Sequence, residues 1–170
     1  MKKIFLILSL AMAVQYSAHS QEEKYIGLFV YNFTKYFDWP ASAKTGDFKI
    51  QVLGHKSIYD ELLKLTTNKM VGTQKIVCEY IETPDLINPS ANILFLGHWH
   101  VKHLDAAKAK IVGKPILLLT EYEGLLNKGS MINFIVRDGT IKFEMSKGNA
   151  SRVGLQTDVR LTQLAYSVAE

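Results

Sequence analysis

Between Tyr25 and Phe37 the apolar residues Ile26, Phe29, Val30, Phe33 and Phe37 recur three, one, three and four positions apart, which is one face of an amphipathic helix. Trp39-Pro40 ends it. Asp47 to Leu53 then reads as a strand closed by Gly54, and Ser57 to Leu65 as a helix with Ile58, Leu62 and Leu65 turned inward. Lys75 to Glu82 is the next strand. Beyond a turn region from Pro84 to Pro89, Ala91 to Leu96 reads as a short apolar strand, Val101 to Lys110 as a helix and Pro115 to Leu119 as another buried strand. Strands alternating with helices predict an α/β fold around a largely parallel sheet.

The pattern changes near the C-terminus. Asp138-Gly139 suits a two-residue type I′ turn, which sets Arg137 against Thr140, Val136 against Ile141, Phe134 against Phe143 and Ile132 against Met145. The last three pairs share an apolar face of this antiparallel hairpin, and Asn133 meets Glu144 on the other. A terminal helix is expected from about Asp158, with Thr157 as N-cap and Leu161, Leu164, Ala165 and Val168 on one stripe. At the other end, Lys2 and Lys3 precede an apolar run from Ile4 to Val14, with Ala18 and Ser20 placed for cleavage before Gln21. That run is shorter than the roughly 18 residues a spanning helix needs, so residues 1–20 read as a secretory signal peptide. Residues 21–170 are then expected to form a single domain, soluble outside the cytoplasm.

Composition sharpens this picture. Of 20 Lys and Arg, two lie in the leader, which holds no acid, so the formal net charge of +4 falls to +2 on cleavage. The remaining basic residues form no cluster interleaved with aromatics, which argues against nucleic acid. The single cysteine, Cys78, excludes an intramolecular disulfide; it alternates with Ile76 and Tyr80 on one side of a strand and reads as a packed apolar thiol, an intermolecular bond being the alternative.

Candidate chemistry is sparse. Gly97 to His103, GHWHVKH, carries three histidines, but its spacing matches no standard zinc pattern and no acidic or cysteine ligand lies nearby in sequence, so no metal is expected and exposed loop histidines are the plainer reading. Asn32, Lys35, Asn133 and Glu144 form a candidate polar cleft if the first helix approaches the hairpin. Tyr25, Tyr31, Tyr36 and Trp39 are candidate partner contacts, divided between core and interface. There is no G-x-G-x-x-G, no phosphate loop and no G-x-S-x-G elbow, so neither an enzyme nor a cofactor is expected.

Three segments together, LFVYNFTKYFDWP (Leu28 to Pro40), FKIQVLG (Phe48 to Gly54) and GSMINFIVRDGTIKFEMSKGNASRVGLQTDVRLTQLA (Gly129 to Ala165), resemble the YfiR-like (HmsC-like) family of small exported bacterial proteins. Asn32, Phe33, Lys35 and Trp39 match the family's helix motif, and Asn133, Phe134, Phe143 and Glu144 its hairpin motif; Ser146 departs from the usual Asn. The resemblance implies a Rossmann-like sandwich and a non-catalytic periplasmic regulator. Such proteins bind the sensor portion of an inner-membrane diguanylate cyclase and repress it, lowering cyclic-di-GMP and biofilm formation, or serve as input modules for sensor kinases, and they tend to form homodimers. The disulfides of better-known relatives are impossible here. The alternative is a periplasmic small-ligand-binding protein.

Overall fold

The computed structural model describes residues 21–170, so the leader reading lies outside the described residues. Helix α1 (residues 21–36) runs directly into β1 (Phe37–Asp38). There follow β2 (Phe48–Leu53), α2 (Lys56–Thr66), β3 (Met70–Val71), β4 (Gln74–Ile81), β5 (Ile93–Leu96), α3 (Leu104–Ile111) and β6 (Leu117–Thr120). The hairpin β7 (Ile132–Arg137) and β8 (Thr140–Ser146) comes next, then α4 (Lys147–Arg152), β9 (Gln156–Thr157), α5 (Val159–Leu164) and β10 (Ser167–Ala169).

Eight strands form one sheet in the order β10, β8, β7, β6, β5, β2, β4, β3, while β1 and β9 pair separately. Neighbours from β4 through β2, β5 and β6 to β7 are parallel; β3 with β4 and β7 with β8 are antiparallel. The inner strands explain themselves: ILFL in β5 and LLLT in β6 are buried at every position, as parallel strands covered on both faces must be. The result is the mixed α/β architecture the sequence predicts.

The periodic face of α1 supplies one core layer. Ile26, Val30, Phe33 and Phe37 are buried there with Ile50, Val52, Phe95, Phe134 and Phe143. The rings of Phe29 and Phe33 meet Phe143 edge-on at centroid distances of 5.5 and 5.3 Å. Ile58 and Leu62 of α2, Ala150 of α4 and Leu161 of α5 belong to the same layer. On the opposite face α3 packs Leu104, Ala107 and Ile111 onto Leu94, Leu96 and Leu118. Each large apolar side chain so buried contributes about 1.5–3 kcal/mol.

The hairpin has the predicted register throughout, and Asp138 and Gly139 both take positive φ (53° and 68°), as a type I′ turn demands. Ser146 caps α4 by accepting a hydrogen bond from the Asn149 N–H at 3.2 Å, work that an Asn at this place does equally well.

Three expectations need correction. The helix expected over Val101 to Lys110 starts later: His98–His103 is 3₁₀ and α3 runs Leu104–Ile111. The terminal helix is only six residues long, is capped by Asp158 rather than Thr157, and buries Leu161 alone. Leu164 and Val168 are exposed, because the chain turns after α5 and Ser167–Ala169 adds to the sheet edge parallel to β8.

Candidate functional site

β2 and β5 are adjacent and parallel, but their connections part: β2 leads through α2 to β4 on one side, β5 through α3 to β6 on the other. At such a switch point neither crossover covers the carboxyl ends of the strands, and a crevice opens there. The register sets Leu53, Leu96 and Thr120 level across β2, β5 and β6. The next residues are Gly54-His55, Gly97-His98 and Glu121, so two imidazoles and a carboxylate reach one level from three neighbouring strands.

They converge. The Glu121 carboxylate oxygen Oε2 lies 3.7 Å from His55 Nε2 and 3.9 Å from His98 Nδ1, and it accepts a hydrogen bond from the His98 backbone N–H at 3.1 Å. One potential ligand atom from each of the three falls within 4.8 Å of the other two. His55 also starts α2, its Nδ1 accepting from the Ile58 N–H at 3.5 Å. The side chains of Glu121 and His55 are 10% and 13% exposed, whereas His98 is 37% exposed, so the group opens on the His98 side.

The opening is a cleft of about 830 Å³ between these turns, the start of α1 and the β7–β8 hairpin, with Glu22, Glu23, Trp99 and Tyr122 along its walls. Burial is the main cause pushing the Glu121 carboxyl up to about 7; the charges of Glu23 and Glu22 add to it and the His98 N–H opposes it. Glycines permit the tight packing of these turns. A Cβ on Gly54, whose φ is +73°, would sit 1.9 Å from His100 Nδ1, and one on Gly97 would sit 2.8 Å from His55 Cβ. His100 Nδ1 is itself buried without a hydrogen-bond partner among the described residues, and burial, ahead of its neighbours His103 and Lys102, lowers the pKa of that imidazole.

Below the cleft, a buried polar group holds the Glu121 turn. Thr120 Oγ1 donates to Asn133 Oδ1 at 2.8 Å, the Tyr122 N–H donates to the same oxygen at 3.0 Å, and Asn133 Nδ2 reaches Glu144 Oε2 at 3.3 Å. Asn133 is therefore a strut beneath the site.

The four polar candidates do not come together. Phe134 and Phe143 point at α1, so Asn133 and Glu144, one residue away in each strand, face the other side of the sheet. Asn32 and Lys35 instead bond each other on the surface of α1, at 3.2 Å. Of the aromatic candidates, Trp39 is core: it is 4% exposed and its Nε1 donates to the Asn92 carbonyl at 3.2 Å. Tyr31 lies under the Lys35 ammonium and Tyr36 beside the Arg160 guanidinium, both half-buried, while Tyr25 is 49% exposed. Trp99 and Tyr122, at 75% and 61%, are the more open aromatics. Cys78 packs with its Sγ 3.2 Å from Thr66 Oγ1, and burial pushes the thiol up.

Sequence reasoning missed His55 and Glu121 and set His98 aside. One local signal was present: the tripeptide L-G-H occurs twice, at 53–55 and 96–98, each time directly after an apolar strand. The acidic neighbour absent from the sequence around His98 arrives from 23 positions away through strand pairing.

Comparison with solved structures gives the fold. The chain is similar to the ABC domain in complex with L-Trp from Streptococcus pneumonia, with a TM-score of 0.52 and 7% identity over 71% of this chain and 55% of that one. A conserved domain protein from Vibrio cholerae follows, at TM-score 0.49 and 9% identity over 71% of this chain and 54% of that one. The chain thus spans about half the length of the solved structures it matches. No curated protein matches it. A family model described as YfiR/HmsC-like matches residues 24–166.

Proposed function

Because the chain belongs to the YfiR/HmsC-like family, whose members are periplasmic regulators of signalling, we propose that it binds the sensor portion of an inner-membrane signalling protein and sets that partner's output. The family match over residues 24–166 carries this reading, since it spans nearly the whole described chain. The partner is a diguanylate cyclase held inactive by this protein, which works without catalysis of its own. The mechanism is a shift of populations: a regulator that prefers the inactive conformation of the sensor stabilises it by the difference between its two affinities, and nothing more than that difference is available. No helix among the described residues is long and apolar enough to cross a membrane.

The cleft at the switch point favours a second role within the same reading, that of a receptor for a small ligand whose binding alters affinity for the partner. It replaces the polar set of Asn32, Lys35, Asn133 and Glu144 as the place where such a ligand would sit.

The test is deletion of the gene with measurement of cellular cyclic-di-GMP, together with co-purification of the tagged chain from detergent-solubilised membranes. A rise in cyclic-di-GMP on deletion and capture of a cyclase support the proposal. Unchanged cyclic-di-GMP with capture of a sensor kinase would move the output to phosphorylation, and failure to capture any membrane signalling protein would remove the partner reading.

A further inference from the structure

The group formed by His55, His98 and Glu121 has a donor set, a shape and a setting that its role in packing does not require. Two imidazole nitrogens and a carboxylate oxygen approach one point, each from a different strand end, with an open side toward the cleft. We propose that this is a binding site for a divalent transition cation of the zinc class, ligated by His55 Nε2, His98 Nδ1 and Glu121 Oε2, with its remaining position open to the cleft.

The donor set selects the cation. Imidazole with a single carboxylate suits zinc and its neighbours, whereas calcium and magnesium require shells built almost wholly of oxygen. Bonds of about 2.0–2.1 Å in a tetrahedral shell put neighbouring ligand atoms roughly 3.3 Å apart. Glu121 Oε2 already stands 3.7 Å from one imidazole nitrogen and 3.9 Å from the other, and the three ligand atoms lie within 4.8 Å of one another, so closing the shell draws them together by about 1.5 Å at most. The carboxylate is aimed beforehand by the His98 backbone N–H, and its turn is held by Asn133 through the Tyr122 N–H, the kind of outer support that orients metal ligands.

The setting is electronegative. Glu23 lines the same cleft, while Lys56, among the described residues the one Lys or Arg lining it, is paired with Asp60 and Glu123 with Arg137. The cost falls on α2: ligation through Nε2 leaves the proton on His55 Nδ1, so the contact from the Ile58 N–H, at 3.5 Å already near the outer limit of a hydrogen bond, is given up.

The experiment is calorimetric titration of the purified chain, without a histidine tag and freed of metal by a chelator, with zinc chloride. Saturable binding of one zinc per chain at micromolar or lower concentration is expected, with calcium and magnesium chlorides giving none. Glu121→Gln, which keeps an oxygen to accept from the His98 N–H, and His98→Ala, at a more open position, each weaken zinc binding at least tenfold, while His103→Ala, outside the group, leaves it unchanged. Cobalt(II) in place of zinc reports through the visible absorption of a four-coordinate site, which His98→Ala removes. Circular dichroism establishes that each variant is folded. Absence of saturable zinc binding, or unchanged affinity in folded Glu121→Gln and His98→Ala, overturns the proposal. The titration uses the isolated chain, so its result is independent of whether a membrane partner is found.

Discussion

Glu121 is the residue at which the protein holds a charge at a disadvantage. Its ordinary value near 4.5 rises to about 7 because burial strips water from the carboxylate and Glu23 and Glu22 repel it, with only the His98 N–H in compensation. The folded chain therefore holds the Glu121 proton more tightly than the unfolded chain does. The sign follows: this group favours folding fully below pH 4.5, and the contribution is lost as pH rises to about 7. At 1.36 kcal/mol per unit the loss has an upper bound of about 3 kcal/mol. Urea unfolding of the metal-free chain at pH 4.5 and at pH 8 measures it. Glu121→Gln, which cannot ionise, should flatten the difference relative to wild type, and equal pH dependence in the two proteins would show that the carboxyl is solvated. None of this was legible locally: Glu121 sits in the unremarkable run Thr120-Glu121-Tyr122, and only the pairing of β6 with β5 makes its neighbours His98 and His55.

At the scale of elements, what the sequence shows well is what short-range periodicity encodes. The α1 stripe, the inner strands and the β7–β8 register depend on residues a few positions apart, and each is found as expected. The turn between β7 and β8 offers a direct check, because Gly139 takes φ 68° and Asp138 φ 53°. A branched side chain in the left-handed region costs roughly 1–2 kcal/mol, so Gly139→Val should lower stability by about that amount in urea unfolding. No loss would mean that the turn is not held in its type I′ form. Elements shaped by distant contacts were not legible. The 3₁₀ stretch at His98–His103 reflects close packing of His100 over Gly54, and β10 exists because its edge pairs with β8, two facts that a periodicity window on either segment lacks. Trp39 as a partner contact and the approach of Asn32 and Lys35 to the Asn133–Glu144 pair failed for the same reason: the residue types mark importance, while which elements meet is decided by packing onto the sheet.

For the molecule as a whole, the sheet joins a stable body to one asymmetric end. The face under α1 and the face under α3 are closed cores, whereas the carboxyl ends of β2, β5 and β6 carry the cleft, the imidazole–carboxylate group and the exposed rings of Trp99 and Tyr122. A regulator that couples a small ligand to a protein partner needs the two sites to be close or mechanically joined, and here both sets of groups belong to the same three turns. Trp99 is the sharpest probe of that arrangement. It is 75% exposed, so its contribution to folding is small, and Trp99→Ala should change stability by no more than about 0.5 kcal/mol. Tryptophan at the centre of an interface is worth far more, commonly 2 kcal/mol or above on truncation, or about thirtyfold in affinity. If the proposed partner docks at this end of the sheet, Trp99→Ala melts like wild type yet loses most capture of that partner in co-purification, and cyclic-di-GMP in cells approaches the level of the gene deletion. The same substitution at Tyr25, on the surface of α1, separates this end of the sheet from the α1 surface. If Tyr25→Ala abolishes capture and Trp99→Ala does not, the partner docks on α1 and the cleft acts on it from a distance.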